Sequence, residues 1–326
     1  MSNAVLNFTD ADVSEILAWA PLIDTLEEAF RRGAHSPPRP HFDIEVEGEP
    51  NGTLLLMPAW VENRHIGLKT VTVFPGNAER SEPAVNAQYL LFSATNGALV
   101  AIFEGGALTL RRTAAASALA SRYLSRPDAR RLLVAGTGRL GPNLAAAHAS
   151  VRDLDDIAIW GRNIDKARKA AQELAEAGLP ARAAEDLETE ARAADVISCA
   201  TLAREPLIMG EWLKPGAHLD LVGAFTPQMR EADDTALQRS SVFVDTFDGA
   251  LAEAGELVQS LRSGAIKRDD IGASLFELAR GEHPGRTSAE EITLFKSVGC
   301  SLEDLAAAEY CAARPPVRSR DVAPAV

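Results

Sequence analysis

The chain has 326 residues, 46% of them apolar, with 46 acidic against 33 basic side chains and a formal net charge of -13 at pH 7. That length accommodates two domains, or one large one, with a full core. The acid excess, with no basic block or stripe, argues against a nucleic-acid partner, and no stretch reaches the roughly eighteen uncharged apolar residues of a membrane span.

Residues 11–32 read as an opening helix with Ile16, Leu17, Leu22, Ile23, Leu26 and Phe30 on one side. The run SPPRPHF breaks that periodicity. From Thr53 to Ala101 the pattern turns strand-like, in TLLLMPAW, HIGLKTVTVF, AQYLLFSA and ALVAIF, separated by turn signals such as PGN at 75–77 and NG at 96–97. This is a hairpin-type sheet. TAAASALASRYL at 113–124 predicts a helix of small residues ending before Pro127 and Asp128. Beyond it, strands and helices alternate: RLLVA, a glycine loop and a helix to about Ser150; IAIW and a helix over 165–176; then strands DVISCA, HLDLVG and SVFVD. That alternation predicts a parallel α/β sheet. Two capped helices are expected in the tail, from Ser288 with Glu291 and, as a weaker variant, Ser301 with Asp304.

The string RLLVAGTGRLGPNLAAAH sets Gly136, Gly138 and Gly141 between a strand and a helix. In a dinucleotide-binding loop the first glycine allows the tight turn, the second lets the backbone approach a pyrophosphate, and the third lets the helix pack closely. Thr137, Arg139 and Leu140 complete the loop. The next strand ends at Trp160, and Gly161, Arg162 and Asn163 follow. An NAD-specific site usually carries an acid there for the ribose hydroxyls. Arg162 instead suits a 2′-phosphate, with Lys166 a second contact one helical turn on. The expected cofactor is NADPH, with NADH tolerated. No metal is expected: Cys199, Cys300 and Cys311 match no zinc or redox spacing. Their odd number, and a start without a secretory leader, give the expectation of a cytoplasmic location.

The strings IGLKTVTVFPGN, GALTLRRTAAASALASRYL, LVAGTGRLG, WGRN, KPGAHLDLVGAFTPQMRE and GRTSAEEITLFKSVG together resemble the ornithine cyclodeaminase and mu-crystallin family, in family order and over nearly the whole chain. In character the chain is most similar to that family's Δ1-pyrroline-2-carboxylate (ketimine) reductases. The resemblance implies an α/β protein with two domains. One is a Rossmann-type dinucleotide domain, expected at 126–299. The other is an α+β substrate-binding and dimerisation domain, expected at 1–125 with 300–326, so a homodimer is implied. It also implies that Arg39, Lys69 and Arg112 hold a substrate carboxylate.

Lys69 reads either as a solvated strand lysine or as a buried group that binds the carboxylate or delivers a proton to an imine nitrogen. Arg112 is expected just before a helix N-terminus, where an anion gains from both the guanidinium and the helix end. Its neighbour Arg111 should point elsewhere. Thr201, at the end of the third strand of the parallel sheet, and Gly223, after the fourth, are expected near the nicotinamide. Family cyclodeaminases carry an aspartate after GG or GA at the fourth strand, associated with the ornithine amine. This chain has Phe225 there, followed by Thr226 and Pro227. A phenyl ring neither accepts a proton nor pairs with an ammonium, so the resemblance points away from ornithine. It points toward a small cyclic 2-imino acid: Δ1-pyrroline-2-carboxylate giving L-proline, or Δ1-piperideine-2-carboxylate giving L-pipecolate. Ornithine cyclodeamination, alanine dehydrogenation, and a non-catalytic role binding NADPH and a small carboxylate remain the alternatives.

Overall fold

A computed structural model of the chain describes residues 4–80 and 82–316. It divides into two compact units, one formed by residues up to 112 and from 300 onward, the other by Thr113–Gly299.

The first unit begins with strand β1 (Leu6–Phe8) and helices α1 (Asp10–Ile16) and α2 (Trp19–Arg32). The single opening helix expected over 11–32 is therefore two. α1 stops because the Leu17 backbone leaves the helical region and Ala18 is extended, re-aiming the chain ahead of Pro21. Strands β2 (His41–Ile44), β3 (Gly52–Trp60), β4 (His65–Val73), β5 (Val85–Ser93) and β6 (Leu99–Glu104) follow. They form an antiparallel meander, with β1 added parallel to β6 in the order β1-β6-β5-β4-β3-β2. Helix α3 (Gly105–Leu124) starts eight residues earlier than its small-residue run suggests. The Asp10 carboxylate accepts from the Ala107 amide and so caps a first turn that lacks its own Ser or Asp. The division between the units falls inside α3, between Arg112 and Thr113.

The second unit runs through β7 (Arg131–Ala135), α4 (Leu140–Ala149), β8 (Asp156–Trp160), α5 (Ile164–Glu176), β9 (Ala181–Ala184), α6 (Leu187–Ala193), β10 (Val196–Cys199), β11 (His218–Leu221), α7 (Asp234–Gln238), β12 (Ser241–Val244), α8 (Phe247–Glu253), α9 (Gly255–Ser263), β13 (Ile271–Ser274), α10 (Leu275–Arg280) and β14 (Thr293–Lys296). The strands make one parallel sheet in the order β13-β12-β14-β11-β10-β7-β8-β9. Both faces are covered, as a parallel sheet requires. Leu133, Ile197, Leu219 and Leu294 belong to one core, and Leu132, Val134, Ile157 and Val196 to the other.

The expected helix at Ser288–Glu291 is absent. The Glu291 carboxylate accepts from the Thr287 and Ser288 amides in a turn, and the apolar TLFK that follows enters the sheet as β14, between β11 and β12. A four-residue run cannot announce its own type by periodicity. The last helix, α11 (Ser301–Ala312), returns to the first unit and packs on α2 and on β3, β4, β5 and β6. Cys300, whose side chain makes no capping hydrogen bond to the helix backbone, stands at its cap position. The Ser301–Asp304 cap does not form because Asp304 turns into the interior.

Candidate active site

The glycine loop separates what the protein's own packing requires from what it leaves open. Gly136 has φ +143°, and a Cβ there would collide with the Ala200 carbonyl; a Cβ at Gly141 would collide with the Gly136 carbonyl. Both glycines are demanded by neighbouring backbone. Gly138 is not: its φ lies outside the left-handed region, and a Cβ there would meet nothing within 4 Å. Neither packing nor backbone conformation explains a glycine at 138. A glycine there leaves the backbone open to close approach. Helix α4 starts at the end of this loop with no side-chain cap, leaving its N-terminal dipole to an anion. The loop follows β7, where the strand order reverses, with β8 on one side and β10 on the other. In open α/β sheets this switch point is where a dinucleotide lies.

At the end of β8, Arg162 is exposed and has no ion-pair partner among the described residues. Lys166 is also exposed, in the first turn of α5. The Asn163 side-chain oxygen is taken up locally, capping α5 by accepting from the Asp165 and Lys166 amides at 3.0 and 3.1 Å. On the other side of β7, the Thr201 hydroxyl and amide both donate to Glu231, at 2.7 and 2.6 Å, and the Gly223 amide donates to the second Glu231 oxygen at 2.8 Å. Thr201 thus keeps only acceptor capacity for a ligand. A side chain at Gly223 would strike the Thr201 backbone and the Glu231 carboxylate. Leu202 and Phe225 stand exposed on the loops after β10 and β11.

The first unit holds a buried charge cluster. Lys69 lies mid-strand in β4 and is only 3% exposed, which rules out the solvated-lysine alternative. Its Nζ donates to Asp304 Oδ1 at 3.0 Å. The same oxygen accepts from Arg112 Nε at 3.1 Å, and Arg112 Nη1 donates to Glu303 at 2.6 Å. Burial pulls the Lys69 ammonium down to about 8; Asp304 opposes that fall and Arg112 adds to it. Burial also works against the Arg112 charge, but Asp304 and Glu303 outweigh it and hold the guanidinium above its ordinary range. Arg112 therefore stays a cation while Lys69 can lose a proton at about pH 8. Arg112 sits well inside α3, not ahead of a helix N-terminus, so carboxylates and not a helix end set its environment. Arg111 points away, stacking 4.3 Å over the Trp19 ring and donating to the Ser14 carbonyl. Arg39 is half-buried in the loop before β2.

Sequence reading missed Asp304, Glu303 and Glu231. The first two lie in an acidic first turn of α11 that looks like ordinary helix charging. Glu231 follows Met229 and Arg230 in a stretch with no regular pattern. Other acids near the fourth strand are spent. Asp220 accepts from Ser117 and Ser198 and contacts His148, Asp233 caps α7, and Asp234 pairs with Arg230. No group of three or more metal-binding side chains occurs among the described residues, and no helix there is long and apolar enough to cross a membrane.

The doubly covered parallel sheet with a glycine loop at its switch point, together with the relatives below, places the chain among the NAD(P)H-dependent oxidoreductases. More particularly, the chain belongs to the ornithine cyclodeaminase/mu-crystallin family, whose model matches residues 3–315. It is 43% identical over 320 residues to an uncharacterized protein of Schizosaccharomyces pombe, covering 94% of this chain and 97% of the other. It is 37% identical over 302 residues to the Δ1-pyrroline-2-carboxylate reductase of Paracoccus denitrificans, covering 92% and 94%. The solved structure of the Thermococcus litoralis Δ1-pyrroline-2-carboxylate reductase, in complex with NADH and L-proline, superposes with a TM-score of 0.87 at 32% identity, covering 94% of this chain and 96% of that one.

Proposed function

We propose that the chain reduces small cyclic 2-imino acids, Δ1-pyrroline-2-carboxylate to L-proline and Δ1-piperideine-2-carboxylate to L-pipecolate, with NADPH preferred and NADH accepted. The observation that carries this reading is the buried pairing of Lys69 and Arg112 through Asp304. It supplies one permanent cation and one ammonium with a pKa of about 8. Arg112 commits two of the five guanidinium donors to carboxylates, leaving the rest for the substrate carboxylate, to which Arg39 is the further contact that the family resemblance implies. Lys69 assists that binding and delivers the proton to the imine nitrogen.

The bound cofactor supplies the hydride that reduces the imine carbon. Gly136, Thr137, Gly138, Arg139, Leu140 and Gly141 hold its pyrophosphate, and Arg162 with Lys166 reads the 2′-phosphate, the Asn163 cap keeping that turn in shape. Thr201 and Gly223 shape the nicotinamide end. Phe225 gives an apolar wall, suited to a ring without a distal ammonium. The Paracoccus and Thermococcus relatives are named for this activity, which supports the reading. The first unit would also make a homodimer, which the mass in solution tests.

The direct experiment follows NADPH and NADH oxidation with Δ1-pyrroline-2-carboxylate and Δ1-piperideine-2-carboxylate between about pH 5 and 9. Turnover of either supports the proposal. Absence of turnover with both overturns it, and proline with ammonia formed from ornithine would restore the cyclodeaminase reading.

A further inference from the structure

We infer that Glu231 is a positioning residue that braces the nicotinamide half of the dinucleotide site by tying the loop after β10 to the loop after β11. This rests on the cofactor reading above and goes beyond it, since Glu231 need not touch the cofactor. The carboxylate is fully buried and its two oxygens are divided between the loops. Oε1 accepts from the Thr201 amide and hydroxyl, and Oε2 from the Gly223 amide. Its own amide donates to Glu256 Oε1 at 2.8 Å, and Glu256 Oε2 lies 3.2 Å from Lys296 Nζ at the end of β14. A chain of buried charge thus runs along the C-terminal edge of β10, β11 and β14. On the pyrophosphate side, a Cβ at Gly138 would meet nothing within 4 Å.

The dinucleotide fold has two mononucleotide halves, and β10 and β11 lie on the side of the glycine loop away from β8 and the adenine ribose. The brace therefore fixes the loops that carry Thr201, Leu202, Gly223 and Phe225, and leaves the adenine half alone. Accepting three donors from two loops suits a carboxylate; a protonated acid or an amide has one oxygen fewer to offer. The groups facing Glu231 are Glu256 from α9, Lys296 from β14, and Cys199, Thr201 and Gly223 at the ends of β10 and β11. Burial raises its carboxyl to about 7; Lys296 opposes the shift and Glu256 adds to it. The brace is intact above that pH and slackens as pH falls through it.

The test compares NADH with ADP, which has the adenine nucleotide half but neither the second ribose nor the nicotinamide, by direct binding to the wild type and to Glu231→Gln. The expected result is NADH weakened by about tenfold and ADP changed by less than about twofold. The substrate-independent loss should be joined by a larger primary deuterium isotope effect with 4-deuterated NADH. Parallel weakening of both ligands, or of neither, overturns the brace. Should the variant not fold, the wild type alone decides. Its NADH affinity, divided by its ADP affinity, should fall between pH 8 and pH 6 if the carboxyl titrates at about 7; a constant ratio overturns the proposal. A wild type that binds neither NADH nor NADPH overturns the cofactor reading itself, and the brace with it.

Discussion

The two units bury charge in opposite ways. In the first, two cations from β4 and α3 are gathered by carboxylates of α11, so the titrating atoms are side chains. In the second, two buried carboxylates are spent largely on backbone amides. Glu231 holds the Thr201 and Gly223 amides, and Asp245 holds those of Thr246, Val298 and Gly299. A side-chain cluster can exchange a proton with a substrate; an acid bonded to amides fixes the shape of a loop. On the proposed function, this difference corresponds to chemistry in the first unit and cofactor geometry in the second. Each of the following measurements strikes one side of it.

The largest effect should come from Lys69→Met. Loss of a proton donor costs about 10²- to 10⁴-fold, so imine reduction should fall by about that much. NADH affinity should hold, because the dinucleotide loop belongs to the other unit. Turnover near the wild-type rate would remove Lys69 from the chemistry.

On the cofactor side, Gly138→Ala and Gly141→Ala should fail differently. A Cβ at 138 meets no protein atom, so the variant should melt like the wild type while binding NADH at least about tenfold more weakly. A Cβ at 141 runs into the Gly136 carbonyl, so that variant should lose fold stability as well. Melting temperature and nucleotide binding, read together, separate the two. Equal behaviour would mean that Gly138 is not kept open for a ligand.

Asp304→Asn tests the coupling inside the cluster. Asp304 raises the Lys69 pKa against burial and Arg112, so removing its charge should bring that pKa below about 8. A lysine that gives a proton works while protonated and loses activity as pH rises through its pKa. The alkaline limb of kcat/KM should therefore move to lower pH in the variant. An unmoved limb would show that Asp304 does not tune Lys69.

The parallel sheet was legible because its strands are apolar runs bounded by glycine and helix signals, and the loop at Gly136, Gly138 and Gly141 falls where those strings put it. Lys69 and Arg112 were legible as residues but not as a pair. They are 43 positions apart, and the acid that joins them lies nearly 200 residues further on, in a helix that reads as a separate tail. Such a meeting is a product of tertiary packing, and no local pattern encodes it. The same holds for β14. Its four residues acquire their type only by pairing with β11 and β12.

The smallest and most selective effect should come from Arg162→Ser. Arg162 is exposed and without an ion pair among the described residues, so removing it breaks no internal contact. It follows the strand end where the adenine ribose is read in this fold. A 2′-phosphate there would take charged hydrogen bonds from the guanidinium, each contributing about 1.5–3 kcal/mol. NADPH should then weaken by about tenfold or more while NADH changes by less than about twofold. Lys166 lies in the same turn and would soften the loss, so the double variant Arg162→Ser with Lys166→Ala should extend it for NADPH alone. Equal weakening of the two nucleotides would mean that Arg162 acts on the loop and not on the phosphate, and the preference for NADPH would fall. On the proposed reading the open loop on this side of the sheet would still bind a dinucleotide, because Gly138 and the start of α4, which lacks a side-chain cap, would serve the pyrophosphate that both nucleotides share.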